Sequence, residues 1–272
     1  MRAARSARDR RPDRTNIDMS EESRMSDGGA LPSNRRVTEH DTPEPVVAIV
    51  VAAGSGVRLG NSSAGGHGPK ALRKLSGVPL LRHSIDRLIA GGVDRVVVVS
   101  RPEFRKQMRA TLAGIDLPIT FTDGGATRTD SVRNGLRVLE GVPPVILVHD
   151  AARPLVPAEV VSRVIAAVRG GSSTVIPVIS LIDSVRAVEP HGSRVVDRSG
   201  LRAVQTPQGF DGATLIDAYD HLPADTLFTD DASVCEAQGS EVALVEGSVL
   251  SMKITRPHDF LFAEALLQAG LA

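Results

Sequence analysis

The fold is decided by the stretch Val46-Val47-Ala48-Ile49-Val50-Val51-Ala52-Ala53-Gly54-Ser55-Gly56-Val57-Arg58, an apolar run followed by a glycine-rich loop. A run rich in Val and Ile and bounded by small residues is typical of a strand buried in a parallel sheet. The loop behind it allows backbone N–H groups to approach an anion closely. Arg58 and, after an insert, Lys70 add two cations. The stretch therefore predicts a site for an anionic ligand, most simply a phosphate chain.

Two familiar phosphate-binding patterns do not match this loop. A P-loop would close on Gly-Lys-Ser or Gly-Lys-Thr, and this loop does not. A dinucleotide fingerprint needs a third glycine after Gly54-Ser55-Gly56 and a helix directly behind it. A tight structural turn remains the alternative explanation for a bare Gly-x-Gly. The nearby cations Arg58 and Lys70 favour phosphate binding.

Strand-like and helical patterns alternate through the rest of the chain. Buried-strand patterns recur at residues 95–100, 118–122, 144–149, 173–179 and 241–245. Helical patterns lie between or after them, at residues 79–90, 102–112, 127–139, 157–168, 212–221, 230–238 and 256–269. This alternation predicts an α/β fold, a Rossmann-like, mostly parallel sheet with helices on both faces. Ligands of such sheets bind beyond the carboxyl ends of the strands.

The alternation breaks between residues 181 and 204. Two short extended pieces, at residues 184–188 and 194–196, flank the turn signal Pro190-His191-Gly192. An excursion of about 20 residues from a compact domain is commonly functional. Its valines need a partner surface, which a second copy of the chain would supply. We therefore predict an extended β-arm that serves dimerisation.

Residues 1–45 differ from the rest of the chain because they are polar, rich in arginine and without apolar periodicity. This composition predicts a disordered N-terminal tail ahead of one domain at residues 46–272. The tail lacks the apolar core of a secretory signal. A start at Met19 or Met25 would shorten it.

The composition argues against several classes of function. A net charge of zero disfavours a nucleic-acid or membrane-surface protein. No apolar run reaches the roughly 18 residues that a membrane span needs. Cys235 is the only cysteine, so there is no disulfide framework, and a cytoplasmic location is expected.

Asp150 follows the apolar run at residues 145–149, which places a carboxylate at the tip of a predicted central strand. Mg²⁺ takes few protein oxygens and completes its coordination with water and substrate phosphates. A turn or helix cap is the alternative role for this residue. Because cationic phosphate ligands are predicted nearby, we expect Asp150 to bind Mg²⁺ and interpret His149 as structural.

Six motifs, in order along the chain, carry a resemblance to one enzyme family. They are the stretch at residues 52–58 with Pro69-Lys70, Asp123-Gly124-Gly125 with Arg128 and Ser131-Val132, the stretch Val148-His149-Asp150-Ala151-Ala152-Arg153-Pro154, Thr206-Pro207-Gln208, Thr229-Asp230-Asp231-Ala232-Ser233, and Lys253-Ile254-Thr255. From Val46 onward the chain resembles the 2-C-methyl-D-erythritol 4-phosphate cytidylyltransferases of the non-mevalonate isoprenoid pathway. The resemblance implies transfer of CMP from CTP to that sugar-alcohol phosphate, with release of pyrophosphate.

The resemblance also implies roles for individual residues. Catalytic roles fall to Arg58, Lys70 and Lys253, and the Mg²⁺ ligand is Asp150. The residues expected around the nucleotide are Ala52, Ala53, Gly54, Gly56, Gly125 and Ser131. The residues expected on the side of the acceptor substrate are Arg153, Ser184, Arg198, Thr206 and Thr229. Within a homodimer, the arm would bring Arg198 and Ser184 to the partner subunit's site.

The sequence departs from the family pattern at three places. Eleven residues separate Arg58 from Lys70, Ala126 stands where many members have a polar residue, and Ser184 and Arg186 replace Thr and Lys. Two alternatives stay open at this point. One is a cytidylyltransferase for another alditol phosphate, such as ribitol 5-phosphate, and the other is a degenerate, non-catalytic paralogue.

Overall fold

The predicted alternation of strands and helices is present in the computed structural model. The model describes residues 44–54, 68–222 and 228–272, which belong to one compact unit. Residues 1–43 of the predicted tail, and the predicted site residues Gly56 and Arg58, lie outside the described residues.

Twelve strands and seven α-helices make up the described part of the chain. The strands are β1 (Val46–Val51), β2 (Lys74–Leu75), β3 (Val78–Pro79), β4 (Arg95–Ser100), β5 (Ile119–Asp123), β6 (Val145–Asp150), β7 (Thr174–Ser180), β8 (Val185–Glu189), β9 (Gly192–Val196), β10 (Arg202–Val204), β11 (Gln208–Asp211) and β12 (Val242–Glu246). The helices are α1 (Leu80–Ala90), α2 (Arg105–Thr111), α3 (Arg128–Arg137), α4 (Ala158–Arg169), α5 (Gly212–Asp220), α6 (Asp231–Ala237) and α7 (Pro257–Gln268). Short 3-10 turns lie at Lys70–Leu72, Pro102–Phe104 and Val249–Ser251.

The main sheet is mostly parallel, as predicted. Strands β6, β1, β4 and β5 lie side by side in that order and run parallel. Strand β12 is parallel to β7, whereas β10 is antiparallel to it. Strand β11, which the sequence pattern did not predict, joins the two halves by pairing antiparallel with both β6 and β7. Its Gly209 allows a close approach of α4, because a Cβ there would lie 2.4 Å from Val164 Cγ1.

Both faces of the sheet are covered by helices, which explains why its central strands are apolar at consecutive positions. In β1, Ala48 and Val50 pack against α1, α2 and α4, whereas Val47 and Ile49 pack against α3, α5 and α6. A smaller apolar cluster joins α7 to the β2–β3 hairpin. None of the helices in the described ranges is long and apolar enough to cross a membrane.

The predicted arm contains the β8–β9 hairpin, which forms a two-stranded sheet of its own. Two of its valines are open to solvent, Val188 with 88% and Val195 with 66% exposure, whereas Val185 and Val196 are partly buried. Strand β10 also falls within the range predicted for the arm, but it pairs with β7 in the main sheet. The part that leaves the sheet is therefore the hairpin and its flanking residues.

Candidate active site

A cavity of about 500 Å³ lies at the carboxyl ends of β1, β4 and β6. This is the edge at which ligands of parallel α/β sheets bind. Eight of the residues predicted from the sequence line it: Ala52, Ala53, Gly54, Lys70, Gly125, Ser131, Asp150 and Lys253. Residues that are far apart in the sequence thus converge on one pocket because their strands end at the same edge.

Asp150 is the most strongly charge-compensated group in this cavity. It is the last residue of β6 and is 7% exposed. Its Oδ2 forms an ion pair with Lys253 Nζ over 2.7 Å. Arg128 Nε lies 3.3 Å from Oδ1, and Arg153 Nε lies 3.9 Å from Oδ2. Burial alone would raise the pKa of Asp150, but Arg128 and then Lys253 hold that pKa below its usual range. The carboxylate is therefore ionised at neutral pH.

A hydrogen-bonded pair fixes the backbone of Asp150. The Asp150 N–H donates to Thr206 Oγ1 over 3.1 Å, and the same hydroxyl lies 3.1 Å from His149 Nδ1. His149 Nε2 lies 3.3 Å from the Arg153 carbonyl oxygen. Burial lowers the pKa of His149 to about 4, so this imidazole is neutral at pH 7. His149 is a structural residue, and Thr206 supports the metal-ligand candidate rather than lining the cavity.

Lys70 and Lys253 are held by the same segment of chain. Lys70 lies in the 3-10 turn after Pro69 and its Nζ donates to the carbonyl oxygen of Ile254 over 2.6 Å. The N–H of Ile254 in turn donates to the Ala152 carbonyl oxygen over 2.8 Å. Because Ala152 follows Asp150 closely, this contact ties both lysines to the end of β6. The second predicted phosphate cation, Arg58, lies outside the described residues.

The opposite wall of the cavity is a tight glycine loop after β5. Gly125 N–H donates to Ser131 Oγ over 3.0 Å, and Ser131 Oγ donates to the Thr127 carbonyl oxygen over 2.9 Å. A Cβ at Gly125 would lie 2.2 Å from Asp130 Cβ, and one at Gly124 would lie 2.5 Å from Ala53 Cβ. Only glycine fits at these two positions, and the wall presents backbone groups to the cavity.

Sequence reasoning missed the roles of two arginines in the cavity wall. Arg128 lies between the carboxylates of Asp150 and Asp231, and its Nη2 is 2.8 Å from Asp231 Oδ2. Arg101 Nε donates to the Ala53 carbonyl oxygen over 3.2 Å. The sequence offered a signal for each arginine. Arg128 belongs to one of the six motifs. Arg101 directly follows a predicted strand, which places it at the edge where ligands bind.

None of the five predicted acceptor-side residues lines the cavity of its own chain. Ser184, Arg198 and Thr229 are exposed, and the first two belong to the arm region. Arg153 instead supports Asp150, and its Nη1 donates to the Ser251 carbonyl oxygen over 2.7 Å. Within the described ranges, no group of three or more His, Cys, Asp or Glu side chains is arranged to hold a metal.

A family model described as 2-C-methyl-D-erythritol 4-phosphate cytidylyltransferase matches residues 46–269. The chain belongs to this family. The match covers the whole main sheet and the cavity, and it confirms the resemblance inferred from the motifs. The predicted enzyme class, a CTP-dependent nucleotidyltransferase, is confirmed with it.

Similar proteins from other organisms carry the same name. The 2-C-methyl-D-erythritol 4-phosphate cytidylyltransferase of Streptomyces coelicolor is 43% identical over 239 residues, covering 83% of this chain and 86% of that protein. The corresponding protein of Rhodococcus jostii is 42% identical over 233 residues, covering 85% of this chain and 98% of its own.

Solved structures of cytidylyltransferases share the fold. The 4-diphosphocytidyl-2C-methyl-D-erythritol synthase of Anaerococcus prevotii superposes with a TM-score of 0.71 at 27% identity, covering 83% of this chain and 96% of that one. The 2-C-methyl-D-erythritol 4-phosphate cytidylyltransferase of Thermus thermophilus gives a TM-score of 0.65 at 34% identity, covering 83% and 100%. The predicted α/β fold is confirmed.

Proposed function

We propose that this cytidylyltransferase transfers CMP from CTP to 2-C-methyl-D-erythritol 4-phosphate. The products are 4-diphosphocytidyl-2-C-methyl-D-erythritol, an isoprenoid precursor, and pyrophosphate. One observation carries the proposal beyond family membership: the ionised carboxylate of Asp150 lies in a cavity beside Lys253 and Arg128, with Lys70 in the same wall. A set of cations around one carboxylate suits a polyphosphate and its counter-ion.

The reaction needs no general base from the protein. The nucleophile is a phosphate monoester whose second pKa near 6 leaves it largely dianionic at neutral pH. One of its oxygens forms a bond to the α-phosphorus of CTP, while the bond from that phosphorus to the β-bridging oxygen breaks. Pyrophosphate departs with the electron pair. The protein contributes alignment and neutralisation of the charge that builds on the α-phosphate.

Each cation has a distinct part in this proposal. Lys70 binds the triphosphate and stabilises the five-coordinate α-phosphate, assisted by Arg58 from the preceding loop. Lys253 orients the acceptor phosphate for in-line attack. The small and glycine residues of the two cavity walls surround cytosine and ribose, and their backbone groups and narrow spacing exclude purines: Ala52, Ala53, Gly54, Gly125 and Ser131. Gly56, which follows Gly54 closely in the sequence, is assigned to the same nucleotide side.

The proposal includes a Mg²⁺ ion held by Asp150. A lone protein carboxylate fits this ion, because Mg²⁺ takes one or two carboxylates and completes its shell with water and substrate phosphates. Arg128 and Lys253 keep the Asp150 carboxylate ionised, which is the form that binds a metal. When bound, the ion supplies additional positive charge to the phosphates. Thr206 holds the Asp150 backbone in place for this role.

We also propose a homodimer in which two chains share each acceptor site. Ser184 and Arg198 are exposed and do not line the cavity of their own chain, and the hairpin between them carries the exposed valines Val188 and Val195. A second copy would cover the valines and receive the two polar side chains. The home chain would contribute Thr229 to the acceptor side, with Arg153 and Thr206 acting on it through Asp150. A cytoplasmic location agrees with the single, buried Cys235.

The test is pyrophosphate release from CTP with a panel of acceptors. We expect the highest kcat/KM with 2-C-methyl-D-erythritol 4-phosphate, at least about tenfold above ribitol 5-phosphate and erythritol 4-phosphate. A higher kcat/KM with ribitol 5-phosphate would refute the assignment of 2-C-methyl-D-erythritol 4-phosphate as the acceptor. Absence of release with every acceptor would refute CMP transfer itself.

A further inference from the structure

Asp231 is a fully buried carboxylate that the proposed mechanism does not use. It begins α6, and its side chain has no exposure to solvent. Tyr219 Oη donates to its Oδ1 over 2.7 Å, and its own N–H donates to Gln208 Oε1 over 3.0 Å. A charge buried to this extent persists only where a cation and hydrogen bonds compensate it.

Arg128 is the cation that compensates Asp231. Its Nη2 lies 2.8 Å from Asp231 Oδ2, and its Nε lies 3.3 Å from Asp150 Oδ1. One guanidinium therefore links a carboxylate of the scaffold to the carboxylate of the cavity. Because the guanidinium is planar and its nitrogens lie at fixed positions, the ion pair with Asp231 limits the directions in which Nε can face Asp150.

Secondary structure holds both ends of this link. Arg128 is the first residue of α3, whose N-cap Thr127 forms a capping box. Asp231 is the first residue of α6, whose N-cap Asp230 also forms one. Gln208 of β11 donates to Asp230 over 2.9 Å and accepts from the Asp231 N–H. The two charges are therefore placed by the fold itself, as preorganised sites require.

We propose that Arg128 is a positioning residue that orients the Asp150 carboxylate for the nucleotide, and that Asp231 is the counter-ion that holds Arg128 in place. This inference rests on the proposed function, which assigns Asp150 to the metal ion of the nucleotide. Asp150 and Asp231 are the two carboxylates paired with Arg128 among the described residues. Without Asp231, the guanidinium turns towards Asp150 and competes with its ligand.

A kinetic double-mutant cycle tests the link. Asp231→Asn removes the charge but keeps the size and an acceptor for Tyr219, and Arg128→Gln removes the guanidinium. We expect each variant to lower kcat about 10- to 100-fold, as is typical when a group supporting a metal ligand is lost. The double variant should be no slower than Arg128→Gln alone, because both changes remove the same interaction. Losses that multiply would overturn the inference, as would a wild-type kcat in Asp231→Asn.

Two further variants separate positioning from folding. Arg128→Lys keeps the charge but lacks the two separated donors, so we expect a lowered kcat in protein that melts cooperatively above the assay temperature. A wild-type kcat in Arg128→Lys would overturn the inference. Asp211→Asn is the matched control, because Asp211 caps α5 at the opposite edge of the sheet, beside the start of β6. It should turn over as the wild type does.

Calorimetric titration of CTP in the presence of Mg²⁺ gives a second readout that needs no acceptor. Binding should weaken about tenfold in Asp231→Asn and in Arg128→Gln, with no further loss in the double variant. Unchanged CTP affinity in both single variants would contradict the inference. Wild-type protein that binds CTP but transfers CMP to no acceptor would instead contradict the proposed function.

Discussion

The ammonium of Lys253 lies 2.7 Å from the carboxylate of Asp150, in a cavity at the carboxyl edge of the sheet. Lys253 follows the last strand of the sheet, whereas Asp150 ends a central strand, so the contact joins two distant parts of the chain. The neighbouring carbonyl of Ile254 accepts from Lys70. One short segment thus places both lysines of the site.

Lys70→Ala is expected to lower kcat at least about a hundredfold, because a preorganised donor to developing charge typically contributes that much. Steady-state pyrophosphate release measures it, with the melting temperature as the check on folding. Lys106→Ala is the matched control, since Lys106 lies on the exposed face of α2. Near-normal turnover in Lys70→Ala would remove Lys70 from the phosphate site.

Asp150→Ala is expected to abolish the response of the enzyme to Mg²⁺. The wild type should be inactive in excess EDTA and regain activity as Mg²⁺ is added, because the ion neutralises charge on the phosphates of the bound substrates. Asp86→Ala removes an exposed carboxylate of α1 and should retain the wild-type Mg²⁺ titration. Full activity of Asp150→Ala in EDTA would show that no metal acts through this residue.

The buried His149 predicts a specific pH dependence of stability. Burial lowers its pKa to about 4 in the folded state, against about 6.5 when unfolded. Between these values the unfolded state binds more protons, so the free energy of unfolding falls as the pH decreases from about 6.5 to 4, by up to about 3 kcal/mol. Urea denaturation across this range measures the fall. His149→Gln should flatten it, and an equal slope in both proteins would contradict the assignment.

The sequence predicts the centre of this fold well because local pattern and tertiary position agree there. Strands β1, β4 and β6 are buried on both faces, so their apolar runs are continuous, and residues that directly follow them must meet at one edge. This rule places Asp150 at that edge, the motif resemblance places Ala52 there, and the cavity contains both.

Other features depend on contacts that no local pattern records. Strand β11 has four residues, among them Gly209, and exists because β6 and β7 supply hydrogen bonds on both sides. The pairing of Arg128 with Asp231 joins the starts of two helices from distant parts of the sequence. Motif resemblance pointed to both residues, but only the tertiary contacts of Asp231 with Arg128 and Tyr219 explain why a buried carboxylate is tolerated there.

Mixing two inactive variants tests the shared acceptor site. Lys70→Ala removes a residue of the cavity, and Arg198→Ala removes a residue of the arm region. If the arm serves the partner, a mixed dimer contains one site with both changes and one site with neither, so activity should partly return. Mixing each variant with itself is the control. No recovery despite demonstrated subunit exchange would show that each site is built within one chain.

The path of the transferred group tests the central claim most directly. The acceptor, 2-C-methyl-D-erythritol 4-phosphate, is prepared with ¹⁸O in its non-bridging phosphate oxygens and incubated with CTP and enzyme, and the product is observed by ³¹P NMR. Attack by the acceptor phosphate on the α-phosphorus places ¹⁸O in the bridge, so the signals of both phosphorus atoms of the product should show the isotope shift. A CMP phosphorus without that shift would contradict the account.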